Sequence, residues 1–290
     1  MELRLSDISK SFAETAVLQE INDTFSAGVY GLLGANGAGK TTLLKIITGL
    51  IKPSQGRVLY NQLDISEQAE NYRAVLGFLP QDFSYYSDFT GMKFMLYIAS
   101  LKGLPTKLAK KRCLELLHLV GLDAVKNKKI KKYSGGMKQR LGIAQAMIND
   151  PDILVLDEPT VGLDPKERVR FRNLISSFAK NKIVLLSTHI VSDIEYIADC
   201  ILLLKNGKIE AAGTAEELVK EISNNVWEAT VDESLIVNYE KNYVVTNEKH
   251  STEGTVLRFV TKETLISNAQ RVEPTLEDLY LYYFREEGRL

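Results

Sequence analysis

The sequence predicts an α/β fold whose mostly parallel sheet is covered by helices on both faces. Three observations carry that reading. Residues 153–156 and 183–186 are short and wholly apolar, as strands buried on both faces must be. A helical pattern, residues 168–178, separates them. Residues 29–33 form another short apolar run, which leads into a glycine-rich loop at residues 34–39 and then into a second helical pattern.

The other elements follow in order. Residues 3–8 alternate like a strand, with Leu3 and Leu5 on one face. Residues 40–50 fit a helix stopped by Pro53. Residues 56–60 and 75–79 read as strands. Between Thr90 and Ile148 strand signals vanish, while Phe94-Met95-Leu96-Tyr97 and the leucines after Cys113 are helix-like, so a helical insertion is expected. After about Lys220 the composition shifts. Residues 227–231, 243–246 and 256–260 read as strands, polar residues 247–255 as a hairpin loop, and residues 274–287 as a closing helix with Leu276, Leu279, Tyr280 and Tyr283 on one stripe. The expected division is a main domain over 1–220, with its helical part at about 83–149, and a small α+β accessory domain over 221–290.

Composition narrows the function. Hydrophobic residues make up 45% and charged residues 25%, the balance of a globular protein. Thirty-six Lys and Arg nearly cancel 37 Asp and Glu, which argues against broad nucleic-acid binding. Residues 1–10 lack the pattern of a signal peptide. No stretch approaches the ~18 apolar residues of a membrane span. The expectation is a cytoplasmic chain whose membrane role comes through a partner. Cys113 and Cys200, each in apolar surroundings, read as buried thiols that need no oxidising compartment.

Gly34-Ala35-Asn36-Gly37-Ala38-Gly39-Lys40-Thr41 matches G-x-x-x-x-G-K-[ST]. Glycines let backbone N–H groups turn inward around an anion, and the following helix aims its positive end at the same anion. Lys40 can reach β- and γ-phosphates, and Thr41 offers a hydroxyl to magnesium. The apolar run 153–156 ends in Asp157-Glu158. Ligands in open α/β sheets bind beyond the carboxyl ends of strands. There Asp157 can hold magnesium through water, and Glu158 can orient and polarise an attacking water.

Tyr133-Ser134-Gly135-Gly136-Met137-Lys138-Gln139-Arg140 resembles the signature segment, LSGGQ, of ATP-binding-cassette (ABC) ATPases. Gly162-Leu163-Asp164 resembles that family's D-loop, Phe78-Leu79-Pro80-Gln81 its Q-loop, and Ser187-Thr188-His189 its switch histidine. Phe12 sits where an aromatic residue stacks on adenine. The motifs occur in family order across residues 3–218. The resemblance implies a P-loop NTPase of ABC type, with a mostly parallel core sheet, an antiparallel β subdomain, a helical subdomain and a small C-terminal α+β appendage. It implies catalytic roles for Glu158, His189 and Gln81, and magnesium contacts from Thr41, Gln81 and Asp157. Nucleotide contacts are implied for Phe12, Gly34, Asn36, Gly37, Ala38, Gly39, Lys40, Thr41, Thr42, Ser134, Gly135, Gly136 and Asp164.

The implied mechanism joins two subunits head to tail around two ATPs. Each ATP lies between one subunit's phosphate loop and the other's Ser134 and Gly136, at a helix expected to begin after Gly136. Hydrolysis removes the γ-phosphate contacts and lets the pair open. Implied partners are an integral membrane permease and a second nucleotide-binding subunit, identical or related; nucleic acid is not expected. Met137-Lys138-Gln139-Arg140 and residues 273–279 resemble bacterial exporters of drugs, antibiotics or peptides. The alternative is a non-transport ABC ATPase acting on ribosomes or DNA. Tyr133 stands where the family has leucine, Met137 where it has glutamine, and Phe12 where it more often has tyrosine. Phe83, Tyr85, Tyr86 and Phe89 read either as a socket for a partner helix or as core. The basic run at residues 126–132 reads either as a solvated loop or as a segment near anionic lipid.

Overall fold

A computed structural model of the chain describes residues 1–251, 254–264 and 266–284. It divides into two compact units, Met1–Glu210 and Ala211–Leu290.

In the first unit β1 (Leu3–Phe12) and β2 (Thr15–Phe25) pair antiparallel. Next come β3 (Gly28–Leu33), α1 (Lys40–Ile47), β4 (Gln55–Tyr60) and β5 (Leu63–Asp64). α2 (Ala69–Val75) leads into β6 (Leu76–Leu79). The helical insertion holds α3 (Gly91–Leu101), α4 (Thr106–Leu119) and α5 (Gly135–Ala146). β7 (Ile153–Asp157), α6 (Pro165–Phe178), β8 (Ile183–Thr188), α7 (Val191–Ile194) and β9 (Cys200–Lys205) follow, and the unit ends within β10 (Lys208–Gly213).

Two sheets result. One is antiparallel, in the order β2-β1-β4-β5; the other has the order β10-β9-β3-β8-β7-β6. The pairs β3–β8, β3–β9, β7–β8 and β6–β7 are all parallel. β7 and β8 are buried along their whole length, as a sheet covered on both faces requires. Leu3, Leu5 and Ile8 of β1 share one apolar core with Ile153, Val155 and Ile183.

Several boundaries differ from expectation, among them the end of β1 at Phe12 and the start of α6 at Pro165. α1 ends at Ile47, not residue 50, because Gly49 takes a left-handed conformation (φ 72°) that closes the helix before Pro53 acts. Val75 ends α2 and does not open β6. α5 begins at Gly135, with Ser134 as its cap, so the expected start after Gly136 is corrected. Cys113 is buried as expected, whereas Cys200 is only half-buried. Of the aromatic cluster, Phe83 and Tyr85 pack around the buried Phe94, while Tyr86, Phe89 and Tyr97 form an outward ladder. In the basic run Lys126 pairs with Asp123, and Lys129 and Lys131 pair with Asp88.

The second unit holds α8 (Ala215–Val219), β11 (Val226–Val231), α9 (Ile236–Asn242), β12 (Val244–Ser251), β13 (Gly254–Val260), β14 (Gln270–Arg271) and α10 (Leu276–Tyr283). Its antiparallel sheet has the order β12-β13-β11-β14. The unit opens at Ala211, before the expected 221, because α8 packs on α10. β12 runs through polar Asn247–Lys249 to Ser251, since an edge strand tolerates solvent-facing polar residues. Of the expected hairpin loop, residues 247–251 belong to β12 and residues 254–255 to β13; residues 252–253 lie outside the described residues, as do residues 285–287 of the expected closing helix.

Arg258 of β13 pins α10 down. Its guanidinium donates to the nearly fully buried Asp278 at 2.8 and 3.0 Å and to Glu228 at 2.9 Å. Burial pushes the Asp278 carboxyl up in pKa, but Arg258, Thr246 and Thr275 outweigh it and hold the group below the usual carboxylate value. Arg258→Leu leaves that charge buried and is expected to cost about 3–5 kcal/mol. The lone tryptophan, Trp227, lies in this unit, so the denaturant midpoint of its fluorescence reads the loss. The folded pKa is depressed, so the stabilisation is complete above the unfolded value of about 3.9 and fades as pH falls through the folded one. The mutant's deficit should therefore shrink in acid.

Candidate functional site

Register sets the site. Leu33 lies beside Thr188, Asp157 beside Ser187, and Leu156 beside Leu79. Four neighbouring strands therefore deliver their carboxyl ends together: β3 the glycine loop, β8 His189, β7 the Asp157-Glu158 pair, and β6 the segment with Gln81. A cavity of about 360 Å³ opens there, lined by Val17, Asn36, Gly37, Gly39, Lys40, Thr41, Thr42, Gln81 and Glu158.

The loop needs its glycines for two distinct reasons. Gly37 and Gly39 have φ of 84° and 108°, which L side chains rarely adopt. A Cβ on Gly39 would also lie 2.9 Å from the Val17 carbonyl oxygen. The Lys40 ammonium is folded back over the loop, donating to the carbonyls of Gly34 (2.7 Å) and Ala35 (3.2 Å), with Glu158 Oε1 at 3.7 Å. Burial holds the Lys40 pKa below the usual lysine value, with Glu158 and Asp157 drawing it part of the way back.

Glu158 is 6% exposed and sits in the left-handed region (φ 50°), a strained conformation for a non-glycine residue. Ser187 supports it: the Glu158 N–H donates to Ser187 Oγ at 3.1 Å, and that hydroxyl donates to Asp157 Oδ1 at 2.6 Å. His189 Nδ1 lies 3.0 Å from Glu158 Oε2. Both Glu158 oxygens thus face groups suited to bind an anion. Asp157 Oδ2 is buried with no hydrogen-bond partner. Among the described residues no cluster of three or more His, Cys, Asp or Glu could hold a metal by itself.

The remaining expected residues lie elsewhere. Gly34 and Ala38 do not line the cavity. Gly34 is pressed against the Leu204 carbonyl, and Ala38 packs into the core. Phe12 is half exposed at the end of β1, with Lys10 over its ring at 5.0 Å. Ser134, Gly135, Gly136 and Asp164 do not line the cavity either. Ser134 and Asp164 cap α5 and α6, accepting from Met137 (3.2 Å) and Glu167 (2.9 Å) backbone N–H groups.

Sequence reasoning missed the roles of Val17 and Ser187. Nothing in its residue type distinguishes Val17. Ser187 had a signal: a hydroxyl ending an otherwise apolar strand, level with the strand that ends in carboxylates. It also missed Thr160 and Asp193, both fully buried and hydrogen-bonded to each other; Arg168 lies 3.5 Å from Asp193. Together they tie the segment after Glu158 to α7.

A phosphate loop between strand and helix, with an acidic pair and a histidine on the adjoining strand ends, defines a nucleoside-triphosphatase of the P-loop class. Residues 18–161 match the family model described as ABC transporter. The ABC transporter ATP-binding protein YxlF of Bacillus subtilis is 38% identical over 204 residues, covering 70% of this chain and 68% of that protein. The Nod factor export ATP-binding protein I of Rhizobium etli is 34% identical over 219 residues, 75% of this chain and 69% of its own length. The ATP-binding cassette MJ0796, solved as a dimer in a post-hydrolysis state with ADP and Pi, superposes with a TM-score of 0.67 at 26% identity over 73% of this chain and 98% of that one. The chain belongs to the ABC transporter family, as an ATP-binding and ATP-hydrolysing subunit.

Proposed function

We propose that this subunit is one half of an ATP-operated clamp that drives export through a separate membrane permease. The observation that supports it best is the double engagement of Glu158. Its two oxygens face Lys40 and His189. A γ-phosphate entering the loop competes for both groups, since a multiply charged anion is a stronger acceptor than one carboxylate. Lys40 and His189 then turn to the phosphate, and Glu158 is released to orient a water. That water attacks the γ-phosphorus in line, its proton passes to the Glu158 carboxylate, and the bond to the ADP oxygen breaks.

Asp157, Thr41 and Gln81 would hold magnesium. The orphaned Asp157 Oδ2 fits a cation beside it, and Mg²⁺ commonly takes few protein ligands and completes its shell with phosphate and water. When bound, the ion neutralises charge on the β- and γ-phosphates.

Ser134 is exposed and points no hydrogen bond into its own chain's cavity. Its Oγ accepts from Met137, which leaves the hydroxyl proton to donate. That suits contact with the nucleotide of a second copy, at the positive end of α5. Gly135, Gly136 and Asp164 would lie at the same interface, and Phe12 would stack on adenine. No described helix is long and apolar enough to cross a membrane. The subunit would work at the inner face of the membrane, and the outward ladder of Tyr86, Phe89 and Tyr97 supports docking of the permease on the helical part. The direction is export, as in the Rhizobium relative. Affinity capture from solubilised native membranes should recover a multispan membrane protein in stoichiometric yield; ribosomes or DNA in its place would overturn the reading.

A further inference from the structure

Tyr133 stands where the family's signature carries leucine, and its surroundings give that exchange a purpose. The ring is 5% exposed. Its hydroxyl donates to the Val125 carbonyl at 2.8 Å, an oxygen that also accepts the Lys128 N–H. The same hydroxyl lies 2.4 Å from where a Cβ would stand on Gly91, the first residue of α3. Only a glycine leaves room for the phenol.

The surrounding backbone is strapped to the same place. Met92 N–H donates to Lys126 O, Ile130 N–H to Phe89 O, and Lys131 N–H to Ser87 O, at 2.8 to 3.0 Å. Thr90 and Lys129 form an isolated antiparallel bridge. The segment before the signature is thus bound to residues 87–92, which include Phe89 of the aromatic ladder. Tyr133 closes that strap one residue before Ser134, the cap of α5.

We propose that Tyr133 is a positioning residue for the signature serine, its hydroxyl seated against Gly91 and Val125 so that the start of α3 fixes where Ser134 is presented. The proposal rests on the reading that Ser134 meets the nucleotide of a second copy. A tyrosine side chain has two rotatable bonds. Holding the far end of the ring therefore leaves the adjoining Cα, ~3.8 Å from that of Ser134, little freedom. A residue that only filled core volume would need no hydroxyl and no facing glycine.

The test is a size exchange in the full chain. Gly91→Ala drives a methyl into the phenol. It is expected to lower ATP turnover about tenfold, the scale for displacing a positioning group by a fraction of an ångström. It should also raise by a similar factor the protein concentration at which ATP dimerises a Glu158→Gln background. ADP affinity, which needs no second copy, should stay as in the parent. Tyr133→Leu removes the phenol, so Gly91→Ala added to Tyr133→Leu should cost no more than about twofold further. Gly91→Ala turnover equal to the parent's, a tenfold cost that persists in the Tyr133→Leu background, or a parallel fall in ADP affinity would each overturn the assignment. Failure of the Glu158→Gln parent to dimerise with ATP would show that the two-copy reading itself has failed, and the assignment with it.

Discussion

Glu158→Gln is expected to lower ATP turnover about 10³-fold, within the range for loss of a general base, while converting the subunit into a dimer that ATP locks shut. The amide keeps the size of the side chain and can still bond His189 Nδ1. It cannot accept a proton from water at neutral pH. Glutamine also removes the anion that faces Lys40 at 3.7 Å and so ends its competition with the γ-phosphate. ATP affinity should therefore rise. The φ of 50° at this position is no harder for glutamine than for glutamate, and the backbone bonds to Ser187 stay, so folding should be unaffected. Phosphate release and light scattering with magnesium and ATP read the two effects. Ordinary steady-state turnover in this variant would remove Glu158 from the chemistry.

The parts of this fold that could be read from sequence are those where one physical demand dominates. Residues 153–156 of β7 and 183–186 of β8 had to be apolar because both faces of these strands are buried, and the glycine loop had to be glycine-rich because its backbone turns left-handed. The candidate site residues were expected at strand ends, and Gln81, Glu158 and the glycine loop meet there around one cavity. What stayed hidden depended on neighbours distant in sequence. Ser187 takes its role from lying level with Asp157, thirty positions away, and that register is a property of the folded sheet. Val17 reaches the cavity only because β2 passes beside Gly39. The same limit explains the misjudged edges. Gly49 ended α1 before Pro53 could. The polar residues 247–249, turn-like in composition, continue an edge strand. Tyr133, in place of the family leucine, likewise depends on a distant neighbour, for Gly91, 42 positions earlier, makes room for its hydroxyl.

Lys40→Met should strongly weaken nucleotide binding with little harm to the fold, whereas Glu158→Gln should strengthen it. Methionine keeps most of the side chain's length and removes the charge that must meet the β- and γ-phosphates. Loss of one such contact in a closed site is expected to weaken ATP about 10²–10³-fold. Melting curves expose this cleanly. At about 100 times Kd a ligand adds about 2.7 kcal/mol, roughly 5–10 °C for a domain the size of the first unit. At the same ATP concentration, a hundredfold weaker variant keeps only about 0.4 kcal/mol. The pH profile gives a second signature. Burial lowers the Lys40 pKa in the resting site, and the triphosphate favours the charged form, so ATP binding raises that pKa. Affinity in the unmodified protein should fall as pH rises through the resting value on the alkaline side, because the neutral amine must first gain a proton. The methionine variant should show no such fall. A Lys40→Met protein whose melting point still climbs with ATP as the parent's does would take Lys40 out of the phosphate site.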